Sequence, residues 1–227
     1  MKNHKKKIPR SLKNKSNFSF WYSMLCEAEI LVNFKKVTNV IDFGCGDGGF
    51  LSLVNHYYKS INLVGVEKQV KLYKQCKAQN HVKNIDFVHY DNFSSIEKES
   101  QDLIFSQEVI YTIENLDFHA QEIFDKLKKG GYYIFTIGCH TDNPTWANRK
   151  SRIINEEEYY AYDYSPMDIA KVFYDTGFRV SVKRLPVYFP LTFDFSPNNE
   201  FTSINDLLIS SEENKLLFFL LKPKYIE

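Results

Sequence analysis

The chain has 227 residues, 44% hydrophobic and 25% charged, the balance of a soluble globular protein with one core, which excludes a disordered chain, a collagen and a coiled coil. Lys and Arg number 29 against 28 Asp and Glu. Because seven of those cations (Lys2, Lys5, Lys6, Lys7, Arg10, Lys13 and Lys15) precede the first acid, Glu27, the body from residue 16 onward carries about −6, a sign that does not invite nucleic acid.

Residues 1 to 16 are Lys, Asn and Ser with almost nothing to bury, and the expectation is a mobile basic tail. From Phe18 to Phe34 the apolar residues Phe18, Trp21, Tyr22, Leu25, Ala28, Leu31 and Val32 recur three and four apart, the pattern of a helix lying on the body. Strand-like runs follow at Val37 to Phe43, Ile61 to Glu67, Ile85 to Tyr90, Asp102 to Gln107 and Gly131 to Gly138. Helical segments lie between them at Gly49 to Tyr57, Gln69 to Asn80 and Phe118 to Lys129, with a weaker one near Ser94 to Lys98. Repeated βα units require right-handed crossovers and a parallel sheet, which places the chain in the doubly wound α/β class with helices on both faces. Cys139 to Tyr164 shows neither period and is too long for an ordinary connection. A helix at Pro166 to Thr176 is capped by Ser165 and stopped by Gly177, and two more strands, Phe178 to Leu185 and Lys215 to Leu221, complete seven.

The four cysteines form no CxxC pair and no zinc spacing, so they read as reduced thiols. The longest apolar run, Leu216 to Leu221, is far short of the about 20 residues of a spanning helix, and the Lys-rich start has no apolar stretch behind it to make a secretion signal. The expectation is a cytoplasmic protein with no membrane span and no metal.

Gly44, Gly46, Gly48 and Gly49 sit between an apolar strand and an apolar helix. Glycine there permits positive φ and close approach of a ligand to the backbone, and the helix start offers free N–H groups. Glu67 ends the next strand, about 20 residues on, where an acid can take both hydroxyls of a ribose. A dinucleotide would set its pyrophosphate at this turn, beside an unhelpful Asp42. A sulfonium cofactor with an amino-acid tail instead brings positive groups that Asp42 attracts.

On these residues the sequence resembles the class I S-adenosylmethionine-dependent methyltransferases, closely from Val40 to about Phe135 and loosely beyond. Val40-Ile-Asp-Phe-Gly-Cys-Gly-Asp-Gly-Gly is similar to the family's first motif. The resemblance implies a Rossmann-like methyltransferase fold in a single domain, 17–227, with an insertion at about 139–164 forming a substrate lid. It also implies S-adenosylmethionine as cofactor, held by Asp42, Gly44, Cys45, Gly46, Glu67 and Lys68. Asp91 and Asn92 after the third strand would serve the adenine, and Gln107 at the end of the fourth would face cofactor and substrate together. Leu127-Lys-Lys-Gly-Gly looks like the family's helix-turn-strand, with Lys129 where proline is frequent. Tyr22, beside Trp21, either covers the cofactor or packs in the core.

Methyl transfer needs alignment and a dry pocket, and an oxygen acceptor also draws on a base. Ligands bind at the carboxyl ends of the strands. That nominates Glu108 and Tyr111 after the fourth strand and His140 and Asp142 after the fifth, with His140 first as base because imidazole titrates near neutrality. Tyr160 and Tyr162, in a run of four tyrosines, either line the acceptor pocket or pack their loop. Arg149, Lys150 and Arg152 could hold a phosphate or carboxylate, or be simply solvated. The acceptor is expected to be a polar small molecule, methylated on oxygen, such as a sugar or a phosphorylated or nucleotide-linked metabolite. The alternatives are RNA, a protein, or a scaffold that binds cofactor without catalysis.

Overall fold

The computed structural model describes residues 8–13, 15–156, 160–195 and 201–224. A four-residue helix α1 (Arg10–Lys13) opens it, and Ile8 and Leu12, four apart, pack half-buried against the core. Lys15 pairs with Asp47 of the glycine loop. The segment expected to be a mobile tail is thus anchored from residue 8, because two apolar side chains on one turn suffice to seat it; residues 1–7 and 14 lie outside the described ones.

The helix α2 (Phe18–Leu31) buries Phe18, Trp21, Met24, Leu25 and Ala28. Next come β1 (Asn39–Phe43), α3 (Gly49–Tyr57), β2 (Asn62–Glu67), α4 (Val70–Gln79) and β3 (Ile85–His89). The weak helix expected near Ser94 to Lys98 is a 3-10 segment at Tyr90–Ser95, started by His89, whose ring nitrogen accepts from the Asp91 N–H. After β4 (Gln101–Gln107), α5 (Leu116–Lys126) starts where Asn115 caps the Phe118 N–H at 2.9 Å. The strand β5 (Leu127–Ile137) then begins at once, with a register shift between Gln101 and Leu103 of its neighbour β4.

Within the stretch read as aperiodic lies a helix, α6 (Trp146–Glu156). Its start is set by Asn143, whose Oδ1 accepts from the Thr145 N–H at 3.0 Å and its hydroxyl at 2.9 Å. The helix α7 (Pro166–Asp175) has the expected Ser165 cap, here a full capping box with Asp168. Then follow β6 (Arg179–Arg184), a short α8 (Ile204–Leu208) with a wide π turn at Ile209–Glu213, and β7 (Leu216–Leu221).

The sheet runs β3-β2-β1-β4-β5-β7-β6, parallel except for β7, which is antiparallel to both neighbours. Alternate strand residues feed two cores. Val40, Leu103, Phe105 and Leu217 face α2 and α3, while Ile41, Ile104, Tyr133 and Phe218 face α5 and α7. The chain crosses from β3 back to β4, on the other side of β1, so the connections that follow β1 and β4 leave in opposite directions and open a crevice beside the glycine turn.

Candidate functional site

A cleft of about 2660 Å³ opens over the carboxyl ends of these strands and joins the glycine loop to α6 and the last turn before β7. At the glycine end, Gly44, Gly46 and Gly48 all have positive φ, and α3 starts directly behind them. A Cβ on Gly44 would stand 2.3 Å from Val109 Cγ2, whereas one on Gly46 would meet nothing within 4 Å. The loop therefore packs tightly beneath and leaves open space above. Glu67 pins it: the Gly46 N–H donates to Oε2 and the Gln69 N–H to Oε1, both at 2.8 Å. A carboxylate offers about four lone-pair sites, so about two remain for hydroxyls of a ligand.

These residues fit the cofactor that the sequence implies. The cradle above Gly46 is free of side chains. Glu67 keeps acceptor capacity, and the buried Gln107 Nε2, at the cleft, has no hydrogen-bond partner among the described residues. Gly44, Gly46, Glu67, Lys68 and Gln107 all line the cleft.

Other expected cofactor residues stand back from it. Asp42 is 3% exposed beneath the loop; burial, with the charge of Glu67, pushes its carboxyl up to about 8. It does not line the cleft. Cys45 turns its thiol away from the cleft toward Cys76, which itself donates to the Gly46 carbonyl at 3.2 Å. The Asp91 side chain is 81% exposed beside His89, and neither Asp91 nor Asn92 lines the cleft, because the 3-10 turn carries both outward; Tyr90 lines it instead. Tyr22 packs edge-on against Phe189 at 5.0 Å, and its α2 neighbours Phe18 and Phe20 reach the cleft in its place.

Glu108, Tyr111, Tyr160 and Tyr162 all line the cleft. The Tyr162 N–H donates to the Tyr111 carbonyl at 2.7 Å, which ties the tyrosine segment to the exit of β4. Glu108 has φ +54°, strained for a residue with a side chain. Its carboxylate accepts from the Gly138 N–H (2.9 and 3.1 Å) and from Lys215 Nζ (2.8 Å). Burial pushes this carboxyl up, but the charges of Lys215 and Arg149 and these hydrogen bonds outweigh it and hold it below the usual carboxylate range.

His140 and Asp142 do not join this group. Past Ile137 the chain turns inward, so His140 is 2% exposed and its Nε2 sits 2.8 Å from the Asn214 carbonyl, to which it donates, while Asp142 is exposed on the outside. Neither lines the cleft. Sequence reading missed Lys215, Ser210, Ser211 and Phe20, which do. No local pattern announces them, since Lys215 lies 107 residues from the carboxylate it pairs with.

A family model described as a methyltransferase domain matches residues 34–185. No curated protein matches the chain. Among solved structures, a complex between the Haloferax volcanii Trm112 methyltransferase activator and the putative methyltransferase matches with TM-score 0.75 at 15% identity, over 96% of this chain and 94% of that one. A geranyl diphosphate C-methyltransferase from Streptomyces coelicolor, solved with S-adenosyl-L-homocysteine, matches with TM-score 0.67 at 16% identity over 95% and 88%. Phosphoethanolamine N-methyltransferase 2 of Haemonchus contortus, in complex with S-adenosyl-L-methionine, matches with TM-score 0.60 at 19% identity over 89% and 53%.

Proposed function

The chain belongs to the methyltransferase-domain family and is an S-adenosylmethionine-dependent methyltransferase; from that premise we propose that it methylates an oxygen of a polar small molecule. The observation that supports this acceptor class is the lining of the cleft, which includes Tyr111, Tyr160 and Tyr162 as well as the charged Glu108. The cofactor supplies an electrophilic methyl group on a positive sulfur. This chain's residues supply the rest: Glu67 holds the loop and a ribose, and the tyrosine segment closes on the acceptor and excludes water.

Of the three groups nominated as a base, Glu108 alone reaches the cleft, and its lowered pKa makes it a weak one. Alignment then carries the rate, and Glu108 orients the acceptor hydroxyl by accepting its hydrogen bond. Calorimetry with S-adenosylmethionine and S-adenosylhomocysteine, followed by a screen of polar metabolites for cofactor turnover, tests this reading. Binding lost in Glu67→Ala, with turnover on a hydroxylated metabolite and full turnover in His140→Ala, is the expected result. Turnover only with RNA or protein substrates would refute the acceptor class.

A further inference from the structure

The glycine loop carries a pair of thiols that methyl transfer does not itself use. Cys45 follows Gly44 in the loop, and its Sγ lies over β2 where Gly65 has no side chain; a Cβ on Gly65 would stand 2.7 Å from it. Cys76 comes from α4. Its Sγ donates to the Gly46 carbonyl at 3.2 Å, and Cys45 Sγ lies 3.9 Å from the same oxygen. The two thiols share a hydrogen bond with each other, and both are 6% exposed within one apolar cluster.

This arrangement holds Gly46 from two sides, its N–H by Glu67 and its carbonyl by Cys76. The hydrogen bond from Cys45 holds the Cys76 thiol below the ordinary cysteine range in spite of its burial, and the same bond, with burial, pushes Cys45 up. Cys76 is therefore the sulfur that ionises first, and a thiolate is the attacking form. The helix that carries it is lightly seated. Cys76 is the one buried residue of the ten in α4, with Leu72 and Tyr73 half-buried and Val70 exposed. An element with so few buried apolar contacts opens locally at small cost, which gives a reagent access to Cys76.

Resting on the glycine loop as the cofactor site, we propose that Cys45 and Cys76 form a reversible disulfide that weakens cofactor binding, with a low-molecular-weight disulfide as the oxidant. Cys76 releases its proton to water, and its thiolate attacks one sulfur of the reagent and expels the other half as a thiolate. Cys45 gives its proton to that thiolate, attacks Cys76 Sγ and expels the second half, which takes a proton back from water. Two protein thiols are oxidised by two electrons, and one reagent disulfide is reduced to two thiols. The product has no S–H, so the Gly46 carbonyl loses its donor, and closing the sulfurs to about 2.05 Å draws Cys45 toward α4. Gly46, the next residue, is the one above which the cradle is open for a ligand.

The test incubates the full-length protein with glutathione disulfide and reads intact mass, joined peptides and calorimetric affinity for S-adenosylhomocysteine. The expected result is a loss of two hydrogens with the Cys45 and Cys76 peptides joined, binding about tenfold weaker, and recovery with dithiothreitol. By linkage, S-adenosylhomocysteine at a concentration that saturates both forms should raise the midpoint potential of the pair by about 30 mV, the equivalent of that tenfold change for two electrons. Cys76→Ser, whose hydroxyl can still donate to the Gly46 carbonyl, should bind within about twofold of the reduced parent and be indifferent to glutathione disulfide. Cys76→Ala, which should be equally indifferent, guards against misfolding of the serine variant. A pair that stays unjoined, a link that leaves the affinity unchanged, or an equal loss of affinity on oxidation of the variants overturns the switch. A reduced protein that binds no S-adenosylhomocysteine overturns the cofactor reading and the role of the switch with it, and is told apart because the peptides are joined all the same.

Discussion

Asp42 gives the most direct physical test of how the cofactor end is built. Its carboxyl titrates near pH 8 in the folded chain against 3.8 when solvated, because the glycine loop and α3 remove it from water and Glu67 adds a like charge. The sign follows from proton counting. Between those two values the unfolded chain has released the proton and the folded chain keeps it, so stability is greatest below pH 3.8, falls as pH rises, and levels off above pH 8. The slope is about 1.4 kcal/mol per pH unit, hence about 2.7 kcal/mol lost between pH 5 and pH 7 from this group alone. Asp42→Asn removes the titration and nearly keeps the shape. Urea unfolding of both proteins at pH 5, 6, 7 and 8 should show the variant gaining on the parent by about 1 kcal/mol or more per unit, whatever offset the extra amide donor adds. Parallel pH profiles would refute the argument, because they would mean that Asp42 is either solvated or paired in the native chain.

A cationic ligand at the loop favours ionised Asp42, so the affinity for S-adenosylmethionine should rise about fivefold from pH 7 to pH 8 if the bound carboxyl is fully ionised; calorimetry in buffers of different ionisation enthalpy should show proton release, absent in Asp42→Asn. Gly44→Ala meets Val109 Cγ2 at 2.3 Å at φ +76° and should cost more than about 2 kcal/mol in urea unfolding, whereas Gly46→Ala, with open space at φ +54°, should cost about 1 kcal/mol yet weaken cofactor binding at least tenfold; equal losses in both assays would contradict the packing described. Glu108→Gln leaves the buried Lys215 without its partner charge and should destabilise by about 2–3 kcal/mol at pH 7. Since the Glu108 carboxyl is depressed, the parent loses the same contribution only as pH falls below its usual 4.5, so the two unfolding curves should converge in acid, and a constant gap would argue against the ion pair.

The strands were legible because each is a short β-branched or aromatic run between glycine and asparagine turns, and the cofactor half because its parts are local: Glu67 lies 21 residues from the Gly46 amide it holds. The helix α6 was not, since Trp146, Ala147, Ile153 and Ile154 are its only apolar residues and they leave about one and a half turns of polar sequence between them. Asn143-Pro144 before it is a start signal that outweighs the missing period. His140 was misplaced for a different reason. The position just past a strand end reaches the cleft only if the chain continues outward, and here the carbonyl of Asn214, 74 residues later, draws it in. No window of sequence contains both partners.

The depth of each charge explains why the cleft works as two halves. Lysines 13, 15, 68, 71 and 74 line its rim, where water screens them, and they act on approach more than on binding. At neutral pH the charges that are removed from water are Glu67 under the glycine loop, where Asp42 keeps its proton, and Lys215 at the other end, with Arg149 and Arg152 half-buried beside it. Fields from such groups fall off slowly inside the fold. A ligand with a positive tail is therefore held at the loop and disfavoured beside α6, and an anionic one is treated in the opposite sense. Glu108 has its charge matched by Lys215 and adds little net field of its own. Swapping the sign at one end, as in Arg149→Glu, should then let the net positive S-adenosylmethionine compete for the far end, which would appear as a second, weaker isotherm; a single isotherm of unchanged stoichiometry would show that shape alone does the sorting.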